Sequence, residues 1–315
     1  MSNADPPDRH QSITDSTSSP GKPDAITPRA QKATPRVAPA VQPSPGANEA
    51  EIAKIRRRLS WMRLAFWGCV LLVPLGCAGP MIVASFFRDN VGIVITGVVL
   101  PLVALGCMIL LWRDLRRYTR SVALAEQAGR MGWRFTEKPP PERYYRLKLL
   151  QSFPQARDDR GVNLLEGEVA GHAAWAIDFT PDSGVGRGAV GVMASDTSTQ
   201  TVLLLPGAAS GLPDFVVAPK GWMDRVGQMF GGRLVELPDY PEFNQQMALR
   251  GRDAETIASR LTPEFIALCL KENAVTLEVH DGDLVVLRRK KTLSPTQFVE
   301  MVEHADAVVE ALRSA

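Results

Sequence analysis

Side chains at the spacings of a metal or catalytic site are scarce in this sequence of 315 residues. Its four cysteines form no CxxC pair and show no Cys/His spacing suited to zinc. Three of them, Cys69, Cys77 and Cys107, lie in the most apolar part of the chain, where a thiol behaves as a small hydrophobic group. The sequence therefore predicts no metal site.

Nucleotide-binding and nucleophile motifs are also missing. The glycine-rich segment GVGRGAVG (Gly184–Gly191) is not followed by GKS or GKT, and the next residues favour a strand, whereas a phosphate-binding loop opens a helix. We interpret it as a flexible hairpin loop. The other candidates are serines outside a GxSxG elbow, histidines without ligand-spaced partners, and two acids on one strand face: Ser183, Ser195, Ser210, His172, His280, His304, Glu166 and Glu168. The sequence predicts no catalytic residue and no cofactor.

The first part of the chain lacks large apolar side chains. Residues 1–50 contain nine prolines and no Leu, Phe, Tyr or Trp. Such a stretch cannot bury enough apolar surface to offset the entropy of ordering it. We therefore predict a disordered Pro/Ser/Thr-rich tail over residues 1–55. The net charge of +2 is too small to indicate nucleic-acid binding.

The central part of the chain lacks charge over two long runs. Leu64–Phe87 comprises 24 residues and Val91–Trp112 comprises 22, all uncharged. At about 1.5 Å per helical residue, either run is long enough for a hydrocarbon core of about 30 Å. The sequence therefore predicts a transmembrane hairpin within residues 56–131, with spans at about 64–87 and 91–112 and a cytoplasmic helical extension that ends near Gly132.

Basic residues beside these runs predict an orientation. Nine of them flank the two runs, against a single arginine in the turn Arg88-Asp89-Asn90: Lys54, Arg56, Arg57, Arg58, Arg63, Arg113, Arg116, Arg117 and Arg120. By the positive-inside rule, both termini are predicted in the cytoplasm, and the protein in the inner membrane. The turn is then the only far-side exposure.

The remaining residues, 132–315, predict a cytoplasmic α+β domain with a mainly antiparallel sheet and a C-terminal helix. The clearest signal is VTLEVHDGDLVVLRR, which alternates on both sides of Asp281-Gly282, a pair that favours a two-residue turn. A second hairpin is predicted to close near Ala170-Gly171. Further strands are predicted at Trp133–Glu137, Val190–Ser195, Thr201–Leu205, Phe215–Ala218 and Arg233–Leu237, and helices at Trp222–Phe230, Asp253–Arg260, Pro263–Lys271 and from Pro295 to about Leu312.

One basic cluster ends the last predicted strand. It consists of Arg288, Arg289, Lys290 and Lys291. A solvated strand end explains it, but in a domain held at the inner leaflet the cluster would also contact anionic lipid head groups at about 1 kcal/mol per charge. We keep it as a predicted membrane-surface contact.

Several segments resemble a group of uncharacterised bacterial inner-membrane proteins that have two spans and a cytoplasmic domain of unknown function. These segments are GWRF (132–135), LLEGEVAGHAAWAIDF (164–179), LPDFVVAPKG (212–221), LPDYPEFNQQMALRG (237–251) and LEVHDGDLVVLRR (277–289). The resemblance covers about residues 60–315 and implies no catalytic residues. In the fourth segment, Phe243 is predicted to be a core anchor.

Taken together, these features predict a membrane-tethered interaction or scaffold module, with the lipid bilayer and an unknown protein as partners. One alternative is a membrane-bound enzyme, which a deep pocket joining carboxylates, His172 or the glycine loop would favour. Another is an oligomeric transporter or channel component built from hairpins.

Overall fold

The computed structural model of the chain describes residues 47–84, 100–141, 147, 150, 152, 160–180, 199–221, 232–289 and 291–314. Of α1 (Ala47–Ala84), only the backbone is described beyond Val70. The chain divides into two compact units, Met1–Val37 and Ala38–Ala315, and the first lies outside the described residues. Also outside them are several predicted features: most of the tail, Arg88–Asn90, the Gly184–Gly191 loop, the strand at Val190–Ser195, the helix at Trp222–Phe230, and Lys290.

The remaining helices with described bounds are α2 (Leu100–Arg130), α3 (Pro241–Gln246), α4 (Ala254–Arg260), α5 (Pro263–Lys271) and α6 (Pro295–Arg313). Local signals in the sequence explain their ends. Gly132, at φ 70°, follows α2 in a Schellman motif, in which Trp133 N donates to Ala128 O at 2.8 Å. Ser294 and Gln297 form a capping box before α6, so the predicted start of this helix is confirmed.

Nine strands form one antiparallel sheet in the order β1-β2-β3-β4-β9-β8-β5-β7-β6. Their bounds are β1 Arg134–Thr136, β2 Arg160–Val169, β3 His172–Thr180, β4 Gln200–Leu205, β5 Phe215–Pro219, β6 Arg233–Val235, β7 Met247–Gly251, β8 Val275–His280 and β9 Asp283–Arg288. This sheet dominates the described fold.

Both predicted hairpins are confirmed by their turns. Ala170 and Gly171 have φ of 50° and 77°, and Asp281 and Gly282 have 50° and 78°. Two successive positive φ angles are the requirement of a type I′ turn, whose twist matches the flanking strands. The closing pairs are Val169 with His172 and His280 with Asp283.

The core lies on both faces of the sheet. The larger cluster packs one face against the helices and includes Ile55 of α1, Leu124 of α2 and Phe298 of α6. A smaller cluster on the opposite face joins Phe179 and Leu204 to Leu147 and other residues. Alternation along each strand supplies both clusters, because successive side chains point to opposite faces.

The prediction of a transmembrane hairpin is wrong. Across the residues whose placement is described, no helix is both long enough and apolar enough to cross a bilayer.

The predictions that depend on the two spans are also wrong. They are the fold class in its transmembrane part, the inner-membrane location and the cytoplasmic placement of both termini. In α1 the described side chains before Leu64 are largely polar, and this part of the helix packs on the sheet. The first turns of α1 therefore contribute to the packing of the domain.

One segment has more structure than the sequence indicated. Within LPDYPEFNQQMALRG, helix α3 is followed at once by strand β7, neither of which was predicted. Phe243 of this helix is fully buried, which confirms it as a core anchor. The short helix delivers Phe243 to the core and turns the chain into β7.

Candidate functional site

We call α1 and α2 together the helical arm, and its beginning is fastened to the sheet at strand β1. Asn48 Oδ1 accepts a hydrogen bond from Phe135 N at 2.8 Å, and Asn48 Nδ2 donates to Trp133 O at 2.6 Å. The Asn48 amide thereby replaces a neighbouring strand at the edge of the sheet. An edge covered in this way is closed to pairing with another chain.

Three arginines near the sheet form ion pairs with acids of other elements. Arg56 contacts Glu126 at 2.6 Å, and Arg58 contacts Glu137 at 3.1 Å. Arg120 of α2 binds both carboxylate oxygens of Asp178 on β3. The Asp178 side chain is only 2% exposed, so this bidentate pair is the buried one.

The Asp178 carboxylate also accepts two further hydrogen bonds. Asn163 Nδ2 and Thr201 Oγ1 donate to its two oxygens at 2.8 and 2.7 Å. Arg120 Nε in turn donates to Leu293 O at 2.9 Å. A buried polar network with its groups satisfied rigidifies the structure around it. These bonds attach α2 to the sheet.

The outer part of the arm has the opposite character. Ten large apolar side chains of the described residues are exposed, and nine of them lie on α1 and α2 at 48% to 68% exposure: Trp61, Leu64, Trp67, Leu102, Val103, Leu105, Ile109, Leu110 and Trp112. The tenth, Leu234, lies on β6. These nine side chains lie on two neighbouring helices instead of being scattered singly over the described surface.

A groove of about 740 Å³ lies between the two helices. One wall is a stripe of α1 at helical spacing, and the other is a stripe of α2 with the same spacing. The residues that line it are Arg56, Leu59, Ser60, Arg63, Leu64, Trp67, Thr119, Val122, Ala123 and Glu126. The lining combines apolar side chains with charged ones, as protein interfaces do.

Five exposed arginines lie on the two helices, and Arg63 among them lines the groove: Arg57, Arg63, Arg113, Arg116 and Arg117. We call them the arginine belt. None of the five has an ion-pair partner among the described residues, whereas Arg56, Arg58 and Arg120 do. Arg116 instead stacks over the Trp112 ring, with its guanidinium carbon 4.5 Å from the ring centroid.

The structure separates the predicted basic cluster at the end of β9. Arg288 points into the domain, where it contacts Glu272 at 2.6 Å and Glu300 at 3.9 Å. Arg289 is half-buried, Lys291 is exposed, and Lys290 lies outside the described residues. The predicted contact of this cluster with anionic lipid stays a prediction.

The predicted histidine candidates lie in three different places. His172 Nε2 lies 2.8 Å from an Arg313 guanidinium nitrogen beside the β2–β3 turn. His304 is buried on α6, and burial lowers its pKa, with Arg288 and Lys271 lowering it further against the opposing effect of Glu272. His280 pairs with Asp214 at 3.1 Å near the β8–β9 turn.

The set Asp214, His280 and Asp281 could hold a metal ion, because one ligand atom from each lies within 4.8 Å of the others. In the described structure, however, both Asp214 oxygens accept bonds from within the chain. Asp281 N donates to Oδ1 at 3.0 Å, and His280 occupies Oδ2. These hydrogen bonds hold the β8–β9 turn against the start of β5.

The remaining candidates are also dispersed. Glu166 and Glu168 share a strand face, half-buried and exposed respectively, and Ser210 donates to Gly207 O at 2.8 Å. Ser183 and Ser195 lie outside the described residues. Cys269 is buried, and burial raises the pKa of its thiol to about 12.

Sequence interpretation missed a buried acid. Glu278 of β8 is fully buried and accepts hydrogen bonds from the Ser152 backbone and hydroxyl at 3.0 and 2.5 Å. The alternation of VTLEVH assigned Glu278 to the face opposite Leu277, as observed. Nothing in the local pattern indicates that a distant segment covers this face.

No protein-family model matches the chain, and no curated protein matches it. A solved structure that matches is the crystal structure of the mycobacterial trehalose monomycolate transport factor A, TtfA. It has 12% sequence identity and a TM-score of 0.43, over 61% of this chain and 94% of that one. A likeness at this level supports no conclusion about fold or function. The resemblance to two-span bacterial proteins stays a prediction.

Proposed function

We propose that this protein is an interaction module that binds a helix of a partner protein along the outer part of the helical arm. The supporting observation is that nine of the ten exposed large apolar side chains of the described residues lie on α1 and α2. Leaving this much apolar surface in water costs about 25 cal/mol per Å². A partner that covers it recovers that free energy.

The shape and composition of the surface favour a helical partner. Two antiparallel helices form a groove, and an amphipathic helix laid in such a groove is a recurring mode of recognition. Trp61, Trp67 and Trp112 stand along the outer arm, and tryptophan and arginine are enriched among residues that dominate binding energy.

The enzyme alternative has less support from the geometry. The groove contains one carboxylate, Glu126, which is already paired with Arg56 at 2.6 Å. The groove includes neither His172 nor Glu166 nor Glu168. The composition of the groove therefore favours the interaction function that we propose.

Photocrosslinking tests this proposal in cells. A photoreactive phenylalanine replaces Leu64 in the full chain, and a matched variant carries it at Leu234, an exposed leucine on β6 away from the arm. We expect a discrete protein adduct from position 64 and none from position 234. The additional change Trp67→Ser should remove the adduct, because it deletes a wall of the groove, whereas Leu234→Ser should leave it unchanged.

Thermal unfolding of each variant shows whether the fold is retained. A protein adduct that persists in the Trp67→Ser chain would contradict the proposal. So would equal adducts from both positions, or adducts formed with lipid alone.

A further inference from the structure

The charges of the helical arm change abruptly along its length. Next to the sheet, Arg56, Arg58 and Arg120 each have an acidic partner. In the outer part, the five residues of the arginine belt have none among the described residues, and the acid nearest to them in sequence is Asp114. The five arginines outnumber Asp114, so the outer arm presents a net positive charge beside its apolar surface.

Arg63 lines the groove, and Arg113, Arg116 and Arg117 lie on the helix that forms the other wall. A partner helix seated in the groove therefore brings its flanking side chains to the two helices that carry the belt. Acidic side chains at these flanking positions would form ion pairs as the apolar face is buried. Basic side chains there would be repelled, and repulsion of like charges excludes wrong partners.

We infer that the partner is an acidic amphipathic helix, with an apolar face for the groove and carboxylates on its flanks for the arginine belt. This inference rests on the proposed function, and it specifies the partner by its charge. Arg116 also contributes through Trp112, since stacking at 4.5 Å holds its guanidinium beside the apolar surface. The guanidinium groups of the belt are donors suited to carboxylates.

Two synthetic helices test the inference. Both carry the same leucine face, one with glutamates on the flanks and the other with lysines at those positions. Binding to the full chain is measured by fluorescence anisotropy of a label on the peptide. We expect the glutamate helix to bind on the order of tenfold more tightly at low salt, and this preference to shrink at high salt as screening increases.

Variants assign the preference to the belt. The triple change Arg63→Gln, Arg113→Gln and Arg116→Gln should abolish the preference, whereas Arg130→Gln should preserve it, because Arg130 is an exposed arginine at the opposite end of α2. Equal binding of both helices that Trp67→Ser abolishes would overturn the inference on charge and leave the proposed function standing. Binding of neither helix, with no crosslink from position 64, would overturn both.

A vesicle-binding experiment distinguishes a protein partner from an anionic lipid surface. Vesicles of phosphatidylglycerol and of phosphatidylcholine replace the peptides, and co-sedimentation is the measurement. We expect the glutamate helix to compete with any binding to the anionic vesicles. If the chain sediments with phosphatidylglycerol and the glutamate helix neither binds nor competes, the inferred partner is wrong.

Discussion

The two parts of the helical arm belong to the same pair of helices and carry the same residue types, yet they differ in the burial of their apolar side chains and in the pairing of their arginines. Near the sheet, apolar side chains such as Ile55 and Leu124 are buried and the arginines are paired. Further out, Trp67 and Leu110 are more than 60% exposed, and the arginines are unpaired among the described residues. The comparison shows that the inner part is packed into the fold, whereas the outer part leaves apolar side chains and arginines exposed.

The largest expected difference between core and arm concerns thiol reactivity. Burial raises the pKa of Cys269 from 9.0 to about 12, whereas Cys107 is exposed on the outer arm. Three pKa units reduce the thiolate fraction of Cys269 about a thousandfold. Under iodoacetamide at pH 8, peptide mass mapping should find Cys107 modified first and Cys269 only after unfolding. Early modification of Cys269 in the folded chain would contradict the burial.

Removal of a paired arginine tests the inner part directly. Arg120→Ala leaves the Asp178 carboxylate buried without its cation, and we expect a loss of about 3 kcal/mol in the free energy of unfolding. Arg117→Ala, one turn earlier on α2 and exposed, should change it by less than about 0.5 kcal/mol. Chemical denaturation measures both. Similar losses in the two variants would erase the distinction between paired and unpaired arginines.

A smaller effect is expected at the edge of the sheet. Asn48→Ala deletes both side-chain bonds to β1, and a loss of about 1–2 kcal/mol should follow. Asn48→Asp keeps the acceptor for Phe135 N but not the donor for Trp133 O, so its stability should lie between those of the alanine variant and the unaltered chain. Amide exchange at Phe135 should accelerate in the same order. Unchanged exchange in the alanine variant would show that Asn48 does not hold the edge.

The smallest expected effect depends on pH. Burial lowers the pKa of His304, so the unfolded chain takes up a proton at higher pH than the folded chain does. The penalty is absent well above an unfolded pKa of about 6.5 and grows as pH falls through it, so the protein should lose stability between about pH 7 and 5. The matched variant His304→Leu should show a shallower decline in thermal midpoint over this range. The outer arm contains no histidine, so binding there should not follow the same profile.

Much of the sheet could be predicted because its signals are local. Asp281-Gly282 sits between alternating strands, and Ala170-Gly171 closes the second predicted hairpin, although its strands do not alternate cleanly. A two-residue turn fixes the register of the strands on either side. Ser294 and Gln297 likewise marked the start of α6. The strand β7 was missed because MALRG is short and follows a helix without a turn signal.

The candidate surface was contained in the sequence but misinterpreted. Long uncharged runs fit a bilayer by length, and the prediction assigned the basic residues beside them to its cytoplasmic side. The structure instead gives no helix in its described residues that is long and apolar enough to span. Which arginines are paired could not be predicted, since Arg120 meets Asp178 across 58 positions of the chain.

The sequence by itself determined the hairpins, the helix caps, the apolar stripes of the arm and the positions of its arginines, because each depends on residues within a few positions of one another. Only the tertiary structure decided which groups are buried and which are paired. Glu278 is buried by Ser152, and Asp178 is held by Asn163, Thr201 and Arg120. Burial and pairing are properties of residues that meet in space, and the fold of the sheet determines where they meet.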